Sequence, residues 1–424
     1  MLTIHSSNRV ETLAARLGGL LRKPLADPMA ADVIMVQSHG LERWLSLELA
    51  TTLGVSANIQ FPFPIPFLTR VMVANTPGWN EEHSALLDRE ALQWILMEVL
   101  PDVAKQTGGE PLANFLDPEA SSPDVRLYQL ASRLGELLDR YQLYRPQILQ
   151  RWLNGRVLDE EIWQALTWQA LIRRTGPYHR LALQRAFLQA IAQKKHGDTL
   201  SALPPRICLF GLSSLAPFFV DTLNALSPHT DLHLFFLNPC QEYWGDILSR
   251  KQRTRIFSRN KSEPLDPLDQ MELGLAAEPD FENELLAYFG KLGRDFFDQL
   301  VDIETADHDE EFVFAEGRSA LSALQTDILT LQEGQGNIDA ETESDAPSLQ
   351  VHSCHSPMRE VEVLNDVLLD LFEKQPGLTP RDVIVMAPKI DDYTSKIHAV
   401  FGRQLSHTCG SVVAPAAPAA SGAA

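Results

Sequence analysis

Three times along this chain, a short apolar run with strand character is coupled to a helical pattern and then to another such run. That alternation restricts the fold to α/β architecture on a parallel sheet. The first case begins at Leu2–Ile4 and passes through a polar turn into a helix expected from about Val10 to Leu21. It continues with the strand "DVIMVQ" and a helix beginning near "HGLERWLSLEL". The second is "RICLFGL", a helix over "APFFVDTLNAL", and "DLHLFFL". The third is "LQVHSC", a helix through "MREVEVLNDVLLDLF", and "DVIVMAP". One strand–helix–strand unit cannot bury both faces of a parallel sheet, so the third case reads as the start of an α/β domain: either the chain is truncated or a partner completes it.

A helical block separates the first two. In "SSPDVRLYQLASRLGELLDRYQLYRP", Ser122 is the expected N-cap and Pro123 the first helical residue. Leu127, Leu130, Leu134, Leu137 and Tyr141 follow at helical spacing, and Pro146 stops the helix. Segments around Trp152 and Trp163–Trp168 extend the block. The expected organisation is an α/β domain over 1–100 and 201–302 with a helical insertion at 101–200. An acidic linking segment at 303–348 contains one helix-like run, "SALSALQTDILTLQ". The second α/β domain begins at 349–403, and a low-complexity Ala/Pro/Ser/Gly tail occupies 404–424.

The chain carries 36 Lys and Arg against 56 Asp and Glu, a formal net charge of −20. Taken alone, this weighs against a protein coated with nucleic acid. The distribution is uneven, however. Arginines crowd the helical block from Arg133 to Arg185, whereas acids gather in "VDIETADHDEE" and "NIDAETESDAPS". No run approaches the ~20 apolar residues of a membrane-spanning helix. The amino terminus lacks a secretory signal. The 4 cysteines are widely spaced, without CxxC. A cytoplasmic protein with no disulfide or zinc scaffold and no membrane partner is expected.

The first strand-to-helix turn, Ser6-Ser7-Asn8-Arg9, stands where a phosphate-binding loop would stand. Such a loop needs glycines for close backbone approach and a lysine for the terminal phosphates. The turn has neither, and GxxxxGK[ST] occurs nowhere in the chain. It is either an ordinary β–α turn or a nucleotide site that has decayed; neither reading predicts ATP hydrolysis. "VHSCHS" offers His352, Cys354 and His355, but on a strand the last points away from the other two, so no metal is expected. No carboxylate cluster is specific enough to mark a nuclease centre.

"DRYQLYR" places Asp139, Arg140, Tyr141, Tyr144 and Arg145 about one helix end, and "YHR" (Tyr178–Arg180) repeats the chemistry. Tyrosine stacks on unpaired bases while arginine contacts phosphate or a guanine edge. The alternative is a helix with core tyrosines and arginines paired to acids, and the residues themselves leave both open.

The ordered set "HSSNRVETL", "VIMVQSHGLERWL", "ANIQFPFP", "LLDRYQLYRP", "FLNPCQEYWGDI", "GKLGRD", "VHSCHSPMREVEVL" and "LTPRDVIVMAP" resembles the RecC family, the gamma subunit of exonuclease V (RecBCD helicase–nuclease), over about residues 1–403. The resemblance implies superfamily 1 helicase-like motor domains that have lost ATP binding. The subunit would be non-catalytic, splitting duplex DNA ends, guiding single strands and helping to recognise the octamer Chi during recombinational repair. RecB and RecD are the implied partners, and ATP and Mg belong to them, leaving no cofactor in this chain. Gln37, Leu137, Asp139, Arg145 and Arg180 match strand-reading positions, with His39, Arg43, Phe63 and Arg140 as further candidates. Those four, together with Thr69 and Glu136, depart from the family pattern; position 69 more typically carries a large aromatic. Family members are far longer, so the chain is read as truncated, with the tail as non-family sequence. The alternatives are a catalytic subunit of the AddB type and an interaction scaffold without DNA contacts.

Overall fold

Every residue of Arg206–Phe210 is buried, because this strand runs through the middle of a sheet covered on both faces. A computed structural model describes residues 2–27, 29–86, 88–116, 122–195, 198–247, 283–303, 305–334, 336–339 and 347–408. Among them, β1 (Leu2–Ser7), β2 (Asp32–Met35), β3 (Ile59–Gln60), β4 (Arg206–Phe210), β5 (Asp231–Leu237) and β6 (Ala306–Glu310) form one parallel sheet in the order β3-β2-β4-β5-β1-β6.

The period of two along each strand sorts apolar side chains between two cores. Cys208 and Phe210 face Ile34 and Phe235 beneath α1 (Val10–Leu21) and α2 (His39–Leu53), which contribute Leu13, Leu17, Leu45 and Leu49. Ile207 and Leu209 join Ile4, Val33, Met35, Leu232 and Leu234 on the other face. That face is covered by α3 (Pro64–Ala74) and, further along the chain, by the helices of residues 180–192, 217–226 and 291–301. Ser38 caps α2 by accepting from the Leu41 N–H, and Gly54, at φ +85°, ends the same helix. Gly211, at φ +65°, turns the chain out of β4, where a Cβ would lie 2.9 Å from Leu41 Cδ2.

The helical block has its own core. After the short α4 (Glu81–Ala85), α5 (Arg89–Ala104), α6 (Glu110–Leu116), α7 (Pro123–Tyr144), α8 (Pro146–Leu153) and α9 (Ile162–Thr175) bury Leu96, Leu100, Leu134, Leu138, Trp152 and Trp168. Pro123 opens α7, and Pro146 starts α8 immediately after it, as proline spacing dictates. The block returns to the sheet through α10 (Arg180–Ala192), and α11 (Pro217–Leu226) joins β4 to β5. Further on, α12 (Glu284–Phe289) and α13 (Lys291–Val301) follow, with Phe296 and Leu300 in the sheet core. After β6 comes α14 (Ala320–Leu329), whose Leu329 is buried.

β6 lies within the stretch expected as an acidic linking segment. Its sequence, Ala-Asp-His-Asp-Glu, shows no apolar alternation, yet it pairs with β1 from Leu2↔Ala306 to Ser6↔Glu310. Charge on an exposed edge strand is a common defence against further strand addition.

Residues 1–318 with 322–338 make one unit, and 319–321 with 339–424 make another. Among the described residues of the second, α15 (Pro357–Lys374), capped by Ser356, and α16 (Thr394–Thr408) are the α-helices, and Tyr393 Oη donates to Glu360 Oε2 at 2.7 Å. The strands expected in "LQVHSC" and "DVIVMAP" are not formed. A strand exists only as a ladder with a partner, and among the described residues of this unit neither segment has one. Val351, Ile384 and Met386 are therefore almost fully solvent-exposed. Most of the expected tail, 409–424, lies outside the described residues.

Candidate nucleic-acid interface

Because all the strands are parallel, the segments leaving β1, β2, β4, β5 and β6 emerge along one edge, the edge where α/β sheets bind ligands. At the β1–α1 turn, Ser6 and Ser7 are buried. The Ser6 carbonyl accepts from the Glu311 N–H at 2.9 Å, and the Ser7 carbonyl from Asn238 at 2.9 Å. The Arg9 N–H donates to Ser7 Oγ at 3.2 Å. Asn8 closes the turn onto the segment after β6: its Nδ2 donates to the Val313 carbonyl at 2.8 Å and its Oδ1 accepts from the Val313 N–H at 2.9 Å. None of the four adopts a left-handed conformation. A phosphate cradle needs inward-facing N–H groups on a wide, glycine-rich loop. Here the turn is tight and closed by its own chain.

A group of contacts that sequence reading missed lies beneath this turn. His5 Nδ1 bonds Asp309 Oδ2 at 3.0 Å, its Nε2 bonds His233 Nδ1 at 3.2 Å, and its ring stacks on Phe235 at 4.6 Å. Arg16 of α1 pairs with Asp309 and, at 2.9 Å, with Glu311. Burial lowers the His5 pKa below the ordinary histidine value, opposed by the Asp309 hydrogen bond. Together these side chains pin the acidic edge strand to β1 and α1. Their partners lie 228 and 304 residues away, and no local pattern announces them.

Beyond β2, Gln37 is exposed and its Nε2 donates to the Ser214 carbonyl at 3.2 Å. His39, at the start of α2, is 83% exposed, bonds Glu42 at 2.9 Å, and meets Phe63 edge-on at 5.1 Å. Phe63 is itself 37% exposed. Arg43, one turn along α2, is exposed and has no ion pair among the described residues. Phe63 leads into α3, where Thr69 Oγ1 is buried without a hydrogen-bond partner. Thr69 borders a cleft of about 1250 Å³ between α3 and α10, also lined by Arg70, Trp79, Arg180 and Lys194.

The α7 candidates divide. Arg145 occupies the break between α7 and α8, is exposed, and has no ion pair among the described residues. Arg140 is exposed but bonds Glu136 at 2.7 Å; Glu136 also gathers Arg133 at 3.2 Å and Arg89 at 3.5 Å. Leu137 is half-buried against the helical core. Arg180 and Asp139 are joined to each other at 2.7 Å, with side chains 12% and 25% exposed. The structure therefore brings together Asp139 with Arg180 and His39 with Phe63. It leaves Arg145 and Arg43 as uncommitted cations, and ties Gln37 to the 213–216 loop. His179, beside Arg180, caps α10 by accepting from the Ala182 N–H through Nδ1, and burial lowers its pKa to about 4.

Among the described residues no helix is long and apolar enough to cross a membrane. Residues 2–331 match the family model "RecC, N-terminal domain". The chain is 36% identical over 459 positions to the RecBCD enzyme subunit RecC of Haemophilus influenzae, covering 95% of this chain and 39% of that protein. It is 34% identical over 433 positions to the subunit of the same name from Escherichia coli, covering 95% and 38%. For Mycobacterium tuberculosis the identity is 32% over 427 positions, covering 95% and 36%. The chain thus spans less than two fifths of the length of these relatives. An α/β sheet with a helical insertion, a closed first turn and this breadth of similarity lead to one conclusion: the chain belongs to the RecC family.

Proposed function

We propose that this chain is part of a non-catalytic, DNA-binding subunit of a RecBCD-type helicase–nuclease. It helps to split duplex ends and to guide and read a single strand while partner subunits, RecB and RecD, supply ATP hydrolysis and cleavage. The observation that carries this reading is the β1–α1 turn. In a helicase-like α/β domain that turn should hold a triphosphate, and here the Asn8 side chain closes it onto Val313. A catalytic subunit of the AddB type would need that turn open.

Single-strand contact rests on the exposed cations and aromatics along the same edge and at the α7–α8 break: Arg43, Phe63 and Arg145, with Gln37 and His39 as hydrogen-bonding groups. Arg180 and Asp139 act by positioning α7 against α10, and Leu137 and Arg140 shape and charge the same helix. Reading of Chi belongs to this set, with the threonine at position 69 altering the cleft the strand would meet.

The test is fluorescence anisotropy of a labelled oligothymidylate at several salt concentrations. Each lost phosphate contact lowers the salt slope by about one. Arg43→Ala and Arg145→Ala should each weaken binding and flatten that slope. Unchanged affinity and slope in both variants would favour the scaffold reading.

A further inference from the structure

A second groove, of about 820 Å³, runs between α8 and α10 and shares no lining residue with the set assigned above to strand contact. Two helix faces build it. Along α10, Leu181, Arg185, Leu188 and Ala192 recur at intervals of three and four, while the opposite face of the same helix buries Leu183, Phe187 and Ile191 in the sheet core. Along α8, Pro146 and Gln150 stand four apart and lead to Asn154 at its C-cap, with Gln147 and Arg151 beside them, while Leu149 and Trp152 are turned inward. The floor is aliphatic: Leu181 and Leu188 are half-buried. From Leu181 to Ala192 the trough extends ~16 Å at 1.5 Å per residue, three turns of a helix.

The rim has one sign of charge. Arg151, Arg156 and Arg185 line the groove and, among the described residues, no carboxylate does, although the whole chain carries −20. The three are not equivalent. Arg151 is neutralised from behind by both oxygens of Glu161, at 2.6 and 2.7 Å, and Glu161 also accepts from Trp152 Nε1 at 2.9 Å. Arg185 donates to the neutral Gln150 Oε1 at 2.7 Å, so its charge is not compensated there. Arg156 is exposed and has no ion pair among the described residues. Two cations therefore stand unneutralised over a leucine floor, flanked by the exposed carboxamides of Gln147 and Gln189.

From this geometry we infer that the α8–α10 groove docks an acidic amphipathic helix of a partner protein, its leucine-type side chains on the aliphatic floor and its carboxylates on Arg156 and Arg185. Laying an apolar helix face into such a trough is a recurring mode of peptide recognition. A nucleic-acid strand fits the lining less well. Single-strand sites depend on aromatic platforms for the bases, and among the described residues no aromatic side chain lines this groove. The inference does not depend on the strand-contact reading, since the groove shares no residue with it.

The experiment uses the chain with a fluorescein-labelled 16-residue peptide carrying glutamate and leucine at helical spacing. The expected result is micromolar binding, weakened at least tenfold by the double substitution R156E/R185E and likewise by replacing the peptide's glutamates with glutamine. Both substituted side chains are exposed, so circular dichroism and melting should be unchanged. Unlabelled oligothymidylate should not displace the peptide. Peptide binding that is undetectable, or indifferent to R156E/R185E, would overturn the inference. So would competition by oligothymidylate whose own affinity is lost in that variant, because the groove would then be a nucleic-acid site.

Discussion

The Nε–H of Arg180 donates to Asp139 Oδ1 at 2.7 Å, and the backbone N–H of Arg180 donates to Gln142 Oε1 at 2.9 Å. Residues 139 and 142 lie on one face of α7, so the first turn of α10 is held at two points on that face. One of the arginines with the strongest sequence claim to DNA contact is thus also a clamp between helices. Arg145, three residues past Gln142, is not. Arg180→Ala should therefore lower stability by about 2 kcal/mol, since it leaves the partly buried Asp139 carboxylate without its cation. Arg145→Ala should change stability by less than about 0.5 kcal/mol while weakening oligonucleotide binding. Urea denaturation beside anisotropy separates the two effects, and equal stability loss in both variants would contradict the division of roles.

A closed β1–α1 turn makes a simple statement about nucleotides. Titration calorimetry with ATP and Mg on this chain should give no binding heat up to millimolar concentration, because Asn8 and Val313 satisfy each other where a phosphate would need their N–H groups. Micromolar affinity would require the turn to open and would return the chain to the catalytic class.

His179 makes stability depend on pH in a fixed direction. Its folded pKa lies at about 4, below the 6.5 of a free histidine, because burial disfavours the cation, with the charge of Arg185 acting the same way. As pH falls from 6.5 toward 4, the unfolded chain takes up a proton that the folded side chain refuses. Stability is therefore fully present above 6.5 and declines by up to about 3 kcal/mol across that window. Asn at this position also caps a helix and does not titrate, so His179→Asn should flatten the urea midpoint against pH between 6.5 and 4. An unchanged profile would place the dependence on other groups.

Arg206 holds three elements at the opposite end of the sheet. From the start of β4 it donates twice to Asp32 Oδ1 of β2, at 2.9 and 2.6 Å, and to the Leu20 and Lys23 carbonyls at the end of α1, at 3.2 and 3.0 Å. It therefore pairs a carboxylate and satisfies open helix-end carbonyls together. Arg206→Met should cost about 3 kcal/mol in urea denaturation, and Asp32→Asn less, because the helix-end bonds survive. A reversed order would mean that the carbonyl contacts carry little.

Strands β1, β2, β4 and β5, the helices α1, α2, α7 and α11, and the two tryptophan-bearing helices were legible because each has its own pattern and punctuation: Ser38 before α2, Pro123 before α7, an unbroken apolar run from Ile207 to Phe210 in the fully buried β4. The two-residue β3 carries no such pattern. β6 was not legible, since an edge strand can be charged throughout and β1, its one strand partner among the described residues, lies about three hundred residues earlier. The strands expected near Val351 and Ile384 failed for the converse reason: an apolar run does not create the neighbour it must pair with. Of the candidate contacts, residue type alone pointed equally to Arg145 and Arg180. Only packing reveals that one is exposed and the other is fastened to Asp139. The closed turn shows the same limit: the missing glycine and lysine were plain in the sequence, whereas Val313 as the group that fills the space was not.

The most direct measurement is photocrosslinking of the chain to a single-stranded oligonucleotide containing 4-thiothymidine, followed by mass-spectrometric mapping of the attached peptides. Adducts should fall in the segments around Gln37–Arg43, Phe63 and Asp139–Arg145, and should diminish in Arg43→Ala and Arg145→Ala. Adducts confined to other surfaces, with those segments unmodified, would contradict the account.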